Sequence, residues 1–289
     1  MLDHPLPDLD AWVLLFTSNA LPVLRITKRS LAELRGDVEQ VEARELSRLI
    51  LHDPVMTARV LAYTQPLRSR NLQRDITTVG SAIMMAGIEP FFAQFAELFT
   101  IEDQLCDAGP QALLGVLHII RRAQRAADYA QEWATWRHDL HLEEIRIAAL
   151  LHDLAEILVW CSAPSLGMDI THRLSAEPGL RSADAQRAVF GFTFNELQRE
   201  LCRIWHLPPL LQALIDDDEA AASSNPRAQN VCLAVRLARH SSHGWDDPAL
   251  PDDYAAIAAL LHVSVDTVCQ RLGLLPVPAR EADGQELLV

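Results

Sequence analysis

The sequence predicts an all-α protein built from many short helices. Apolar residues recur at spacings of three and four, as in Leu46, Leu49 and Ile50, which is the period of one helix face. Alternating strand-like runs of β-branched residues are almost absent. Proline, glycine and asparagine interrupt the pattern at short intervals, as at Asp53-Pro54 and Pro178-Gly179, and such residues end helices. We therefore expect tight turns between the helices and no sheet.

Two helices are predicted most clearly. The first runs from Pro110 to Trp133, and the second from Leu142 to Trp160. The first carries its apolar residues on or near one face: Leu113, Leu117, Ile120 and Tyr129. The second has an acidic start over 139–144, which suits the positive end of a helix dipole.

Composition suggests where the chain divides. Charged and turn-forming residues over 98–109 and again over 216–226 interrupt the apolar pattern. We predict an N-terminal extension at 1–18 and a main helical domain at 19–218, with subdomains at about 19–108 and 109–218. A C-terminal helical segment at 226–279 should pack on the core, and a tail follows at 280–289.

Charge and hydrophobicity exclude several classes of protein. The 289 residues are 49% hydrophobic, which is enough for a large core, and 25 basic against 39 acidic residues give a net charge of -14. That charge opposes the phosphate backbone, so we expect no nucleic-acid partner. Neither a signal-peptide pattern nor an apolar run of roughly 20 residues occurs, so we expect a cytoplasmic protein and no membrane partner.

The five cysteines are scattered and show no CxxC spacing. They are predicted to be small buried apolar residues, because free cysteine is among the most buried residue types. Disulfides or a zinc site are not expected from this pattern.

His152 and Asp153 form the most informative pair in the chain. They stand inside the apolar run 147–160, and a His-Asp pair in that setting is typical of the centre of a metal phosphohydrolase. A metal ion needs three or more ligands that converge from separate segments. Whether the remaining ligands exist therefore decides the function.

Five segments resemble the HDOD domain, a member of the HD phosphohydrolase superfamily. They occur in the family's order along the chain: Leu21-Pro22-Val23-Leu24, residues 49–61 around His52-Asp53-Pro54, residues 76–87, the dyad run 147–159, and Trp205-His206-Leu207-Pro208-Pro209 with Leu214-Ile215. The resemblance implies an all-α, multi-helix HD-superfamily bundle with an N-terminal helical subdomain. It also implies a bacterial signalling or output module whose hydrolytic metal site is usually degraded.

The sequence departs from the pattern of an active HD hydrolase outside the dyad. Alignment to the family places Ile120, not His118, where the first metal ligand should stand. Two residues correspond to about 200° on a helix, so in that register His118 would face elsewhere. Asn195 stands where the family often has a histidine, and Asp216-Asp217 replaces a frequent histidine pair.

Two interpretations of the dyad follow. A divalent transition metal held by His118, His152, Asp153 and Asp216, or by a neighbouring aspartate, could activate water against a phosphoester. Alternatively, His152 and Asp153 are structural, with their polar groups satisfied by neighbours. Glu156 lies four residues after His152, so an intrahelical pair is available without a metal. We favour the structural interpretation, with no cofactor and no catalytic residue.

Three arginines form a candidate ligand site on the predicted helix 110–133. Arg121, Arg122 and Arg125 could bind a phosphate-bearing ligand such as a nucleotide second messenger. They could also be the exposed face of a helix whose other side carries Leu117 and Ile120.

Other clusters are weaker signals. The run Arg137-His138-Asp139-Leu140-His141 is predicted to be a solvated loop or helix start, and His240 with His243 a polar loop. No phosphate-cradling glycine loop and no Gly-x-Ser-x-Gly elbow occurs in the sequence.

The sequence thus predicts a non-catalytic signalling module that acts through surfaces. We expect a groove that binds a signalling partner protein, and a ligand or partner contact that changes packing between the N-terminal subdomain and the half that bears the dyad. The acidic net charge favours partners with basic or mixed-charge surfaces. A metal-dependent phosphohydrolase is the alternative, and a cyclic-dinucleotide effector is a weaker one.

Overall fold

The computed structural model describes residues 1–65, 76–177, 179–207, 209–215 and 225–275. Across these ranges the chain is helical, and its strand-like pairing is limited to one isolated bridge between Val23 and Thr100. The predicted all-α class is therefore confirmed.

The described helices fall into an N-terminal group and a longer C-terminal group. The N-terminal group is α1 (Leu9–Ser18), α2 (Arg25–Arg35), α3 (Ala43–Ile50), α4 (Pro54–Thr64), α5 (Val79–Ala86), α6 (Ile88–Gln94) and α7 (Ile101–Gln104), with a 3-10 turn at Val38–Gln40. The second group is α8 (Pro110–Trp136), α9 (Leu142–Leu151), α10 (Leu154–Ser162), α11 (Pro164–Ala176), α12 (Ser182–Phe190), α13 (Phe194–Ile204), α14 (Pro209–Ile215), α15 (Pro226–His240), α16 (Leu250–Leu261) and α17 (Val265–Arg271).

The longest described helix, α8, lies at the centre of the second group. It packs on α9 on one side and on α15 on the other. Its small residues allow this close packing, since Ala123, Ala127 and Ala130 are almost fully buried. The predicted helix from Pro110 is present and continues three residues further than expected, to Trp136.

The predicted single helix from Leu142 to Trp160 is wrong, because it is broken at the dyad. Helix α9 ends at Leu151 and α10 begins at Leu154. Gln198 of α13 satisfies backbone groups on both sides of the break. Its amide nitrogen donates to the Leu151 carbonyl at 3.1 Å, and its amide oxygen accepts from the Ala155 N–H at 2.8 Å. A buried break is stable only with such partners.

The C-terminal helices pack directly on the rest of the fold. The amide of Asn230 in α15 donates to the Ala130 carbonyl of α8 at 3.1 Å. Arg137, just after α8, donates to the Leu260 carbonyl of α16 at 2.8 Å. The predicted domain boundaries remain predictions, and the tail 280–289 lies outside the described residues.

Two further sequence predictions concern the burial of the cysteines and the absence of a membrane-spanning helix. Cys161 and Cys202 are buried as predicted, and Cys232 and Cys269 are partly buried. Cys106 is exposed, so the prediction is wrong for that cysteine. In the part of the chain that the structure describes, no single helix is long and apolar enough to cross a bilayer. The bent pair 142–162 and 164–176 reaches that length only jointly, across a 117° bend.

Candidate functional site

The dyad lies in a cavity of about 690 Å³. The break between α9 and α10 lines it, together with residues of α8, α11, α12 and α13 and the end of α15 with the following loop. Its polar lining includes His118, Arg122, His152, Asp153, Glu156, Asn195, Arg239, His240, His243 and Asp247. A volume of this size falls in the range of small-molecule sites.

Arg122 is the central charge of this cavity. Its Nη2 lies 2.6 Å from Asp153 Oδ2 and 2.5 Å from Glu156 Oε2, and its Nε donates to the same Asp153 oxygen at 2.8 Å. The Arg122 side chain is only 13% exposed. One guanidinium therefore bridges two carboxylates in a site that is largely shielded from water.

The second oxygen of Asp153 is also engaged. His152 Nδ1 lies 3.1 Å from Asp153 Oδ1, and an Arg239 nitrogen lies 3.7 Å from it. Burial by itself would raise the pKa of Asp153. The positive charge of Arg122 and the hydrogen bond from His152 outweigh burial and hold that pKa well below its ordinary value. Asp153 is therefore ionised at neutral pH.

The expected intrahelical pair between His152 and Glu156 does not form. The carboxylate of Glu156 binds Arg122 instead, and His152 binds its neighbour Asp153. Burial would lower the pKa of Arg122, but the two carboxylates raise it. The positive charge at the centre of the cavity is thus fixed.

His118 lies in the cavity, contrary to the sequence-based register. It lines the same wall as Arg122, one helical turn away, while Ile120 is buried in the core. Its ring stacks on that of His243, with 4.9 Å between centroids. Burial lowers the pKa of His118, and the neighbouring His243, Arg122 and Arg121 lower it further.

The described side chains do not fit the metal of the alternative phosphohydrolase interpretation. Within the described ranges, no three His, Cys, Asp or Glu side chains converge as a metal site would require. Both Asp153 oxygens face cations or a histidine, so a metal ion would meet the fixed charge of Arg122. Asp216, the fourth residue of the alternative ligand set, and Asp217 lie outside the described residues.

The three arginines of α8 lie in three different environments and do not form one strip. Arg121 is exposed, and Arg122 lies in the cavity. Arg125 donates to the Ser241 carbonyl at 3.2 Å, and its guanidinium lies over the rings of Tyr129 and Trp245. The phosphate-ligand interpretation can therefore rest only on Arg122 among them.

Two clusters predicted to be polar loops also contain buried ion pairs. Residues 137–141 and His243 lie in loops as predicted, whereas His240 does not. His240 belongs to α15 and binds the fully buried Asp253 together with Arg236. Asp139 is 15% exposed and binds Arg227 at 2.7 Å, so it is not a solvated residue. These pairs fasten the C-terminal helices to α8 and to each other.

Sequence reasoning missed two contributors to the cavity. Arg239 comes from a segment far from the dyad in sequence. Trp160 lies between Gly115 of α8 and Gly167 of α11, where an added Cβ would fall 2.1 and 2.6 Å from the indole ring. The two glycines were the available signal, since a glycine inside a helix often marks a close approach.

A family comparison agrees with the resemblance. The model of the HDOD domain matches residues 21–221. The match ends before α15, so Arg239, His240 and His243 lie outside it. No curated protein matches the chain significantly.

Solved structures show the same fold. The MmoQ response regulator of Methylococcus capsulatus superposes with a TM-score of 0.65 at 19% identity, over 88% of this chain and 98% of that one. A virulence factor from Campylobacter jejuni superposes with a TM-score of 0.60 at 20% identity, over 92% of this chain and 93% of that one. At these identities the likeness concerns the fold alone.

Proposed function

Because the chain belongs to the HDOD domain family, we propose that it is a non-catalytic signal-transduction module that acts through protein partners. HDOD domains are related to the HD phosphohydrolases, so the fold alone does not separate binding from catalysis. The distinction rests on the side chains of the dyad cavity.

The observation that carries the proposal is the position of Arg122. In a metal phosphohydrolase the dyad aspartate ligates a cation, which lowers the pKa of bound water. Here a guanidinium binds that aspartate at 2.6 Å and also binds Glu156. A fixed organic cation binds both carboxylates but offers no open coordination position to a water molecule. The dyad then stabilises the fold and shapes a cavity.

Metal analysis and an activity assay test the non-catalytic part. We expect the protein purified without chelator to hold no stoichiometric transition metal, and to hydrolyse bis(p-nitrophenyl) phosphate no faster with Mn²⁺ than Asp153→Asn does. Arg121→Gln is the control for charge loss on the same helix. Stoichiometric metal that is lost in Asp153→Asn, or hydrolysis abolished by that substitution, would overturn the proposal in favour of the phosphohydrolase.

A groove of about 790 Å³ offers a surface for a partner. It lies between α3 and α5 of the N-terminal group and α8 and α9 of the dyad half. Arg44 and Arg48, one helical turn apart on its rim, are exposed, and neither has a carboxylate within 4.0 Å among the described residues. Met84 beside them is 71% exposed.

This groove fits an acidic segment that also carries apolar side chains. Arginine binds carboxylates well, and methionine adapts to varied apolar surfaces. The positive charge of Arg44 and Arg48 is opposite in sign to the net charge of -14. A partner bound in this groove would therefore differ from the basic or mixed-charge partner expected from composition. A partner in this groove would contact both the N-terminal group and the dyad half. Its binding would therefore depend on how these two halves pack on each other.

Site-specific photo-crosslinking in the cells that make the protein tests the groove. A photo-reactive residue at Met84 should give one dominant adduct, which Arg44→Glu with Arg48→Glu removes. The same residue at Leu14, which is 65% exposed on α1, is the matched control and should give no such adduct. Identical adducts from both positions, or persistence in the charge-reversal variant, would contradict this surface.

A further inference from the structure

We propose that the dyad cavity binds a small ring-bearing oxyanion, a phosphate or a carboxylate, through Arg239, His118 and His243. The inference rests on the proposed function, because it assigns a ligand to a site that we take to bind rather than to cleave. It joins residues of the family-matched region to residues of the C-terminal segment, which that match does not cover.

The two arginines of the cavity pair with its carboxylates at different distances. Arg122 binds Asp153 and Glu156 at hydrogen-bond distance, and these two carboxylates carry one negative charge more than Arg122 balances. Arg239 supplies the balancing charge from further away. Its nearest carboxylate oxygen, on Asp153, is 3.7 Å away, which is too long for a hydrogen bond, and its side chain is 44% exposed. Its guanidinium therefore faces the cavity with donors to offer.

The stacked histidines add further donors to the cavity that Arg239 also lines. The ring nitrogens of His118 make no hydrogen bond within the described part of the chain. His243 uses only Nδ1, which lies 3.0 Å from the Ser242 hydroxyl. An oxyanion that accepts hydrogen bonds from both rings and from the guanidinium would be held by charge-assisted bonds, which are the strong ones.

The carboxylates of the cavity already have hydrogen-bond donors. Asp153 and Glu156 accept from Arg122, and Asp247 accepts from the Ala249 N–H at 2.8 Å. The groups left open are mainly the N–H donors of Arg239 and the two histidine rings. An oxyanion can accept hydrogen bonds from these donors, so the preference rests on hydrogen bonding and not on a net positive charge.

Part of the cavity lining is apolar. This part includes Trp160, Ile119, Ile170, Leu174 and Phe194. Trp160 is 7% exposed and is confined by Gly115 and Gly167. An apolar lining with a few convergent polar groups is the usual composition of a small-molecule site. It favours an anion carried on a flat or apolar body over a bare inorganic ion.

Calorimetric titration of the full chain with EDTA present tests the proposal. The probes are adenosine 5'-monophosphate, phenyl phosphate and benzoate, with adenosine as the uncharged comparison. We expect saturable one-site binding of at least one anion and none of adenosine. The relative affinities of phenyl phosphate and benzoate then distinguish a phosphate ligand from a carboxylate ligand.

Variants locate the site. Arg239→Gln should weaken binding about tenfold or more, since it removes a charge-assisted donor. His243→Ala should weaken it by a smaller factor. Arg29→Gln removes the same charge from an exposed position on α2, outside the cavity, and it should leave affinity unchanged. Thermal unfolding of each variant establishes that the fold is intact.

Three outcomes would overturn the proposal: no anion binding at millimolar probe, equal binding of adenosine and its monophosphate, or full affinity in Arg239→Gln. A different result would contradict the proposed non-catalytic function. In that case the protein would release phosphate from phenyl phosphate with Mn²⁺ in the absence of EDTA, and Asp153→Asn would abolish this activity.

Discussion

The guanidinium of Arg122 contacts one oxygen of Asp153 twice, through Nε at 2.8 Å and through Nη2 at 2.6 Å. Asp153 is only 8% exposed, so each of these charges depends on the other. A buried pair adds little net stability compared with apolar residues, but removal of one partner leaves a charge unpaired. The stability and the chemistry of the dyad therefore both depend on a residue 31 positions earlier in the chain.

Arg122→Ala should destabilise the protein by about 3–5 kcal/mol, because it leaves Asp153 and Glu156 without their cation in a shielded site. Urea unfolding followed by circular dichroism measures the loss. Arg121→Ala is the matched control on the exposed side of the same helix, and it should change stability by less than about 0.5 kcal/mol. Similar losses in the two variants would mean that the pair is not shielded.

Acidification should reveal the lowered pKa of Asp153. A carboxyl whose pKa is lower in the folded state than in the unfolded state stabilises the fold above its ordinary pKa of 3.8, and this stabilisation is lost as pH falls through the folded-state pKa. Below about pH 4, the free energy of unfolding of the wild type should therefore fall more steeply with decreasing pH than that of Asp153→Asn.

Asp10→Asn is the control for this pH dependence, since Asp10 is exposed on α1. Its stability curve should run parallel to that of the wild type. If Asp153→Asn also runs parallel, then Arg122 and His152 do not lower the pKa of Asp153 in the folded protein.

The sequence predicted features that depend on local patterns. The all-α class and the helix from Pro110 follow from apolar spacing and from the proline at the helix start. The break at the dyad could not be predicted in this way, because the run 147–160 is continuously apolar. Gln198, more than forty residues later, supplies the hydrogen bonds that make a buried break stable.

The cavity shows the same limit. His152 and Asp153 were identified from a dipeptide, but their partners Arg122 and Arg239 come from two other helices. The face assigned to His118 was wrong because it depended on an alignment register and not on the packing of α8. Ile120 is buried and His118 faces the cavity, on different sides of α8 as a separation of two residues requires. The alignment had assigned the cavity side to Ile120 and the other side to His118.

Gly115→Ala should destabilise the protein by about 1–3 kcal/mol through overpacking. The new Cβ would fall 2.1 Å from Cζ3 of Trp160, and the indole cannot move away freely because Gly167 also packs closely against it. Thermal unfolding measures the change, and near-ultraviolet circular dichroism reports whether the aromatic environment is altered.

Gly80→Ala is the matched control for Gly115→Ala. Gly80 also lies inside a helix. A Cβ added there would have Oε2 of Glu143 as its nearest neighbour, at 3.9 Å. There the substitution should stabilise the protein by roughly 0.4–1 kcal/mol, because alanine lowers the entropy of the unfolded chain. Stabilisation by both substitutions would show that the Trp160 wall is adaptable.

Asp53→Ala should cost far more than removal of an ordinary helix cap. Asp53 is fully buried at the start of α4. One carboxylate oxygen accepts from the Met56 N–H at 3.0 Å, and the other accepts from the Leu24 N–H at 2.8 Å. The single side chain thus caps α4 and also ties it to the segment that leads into α2.

Alanine at position 53 would leave two buried N–H groups unpaired, so we expect a loss of roughly 2–5 kcal/mol. Asp8→Ala is the control, because Asp8 caps α1 with one exposed bond, from the Ala11 N–H at 2.9 Å. It should cost about 1 kcal/mol. Chemical denaturation compares the two. Equal losses would mean that the bond to Leu24 adds nothing and that the N-terminal helices are held together mainly by apolar packing.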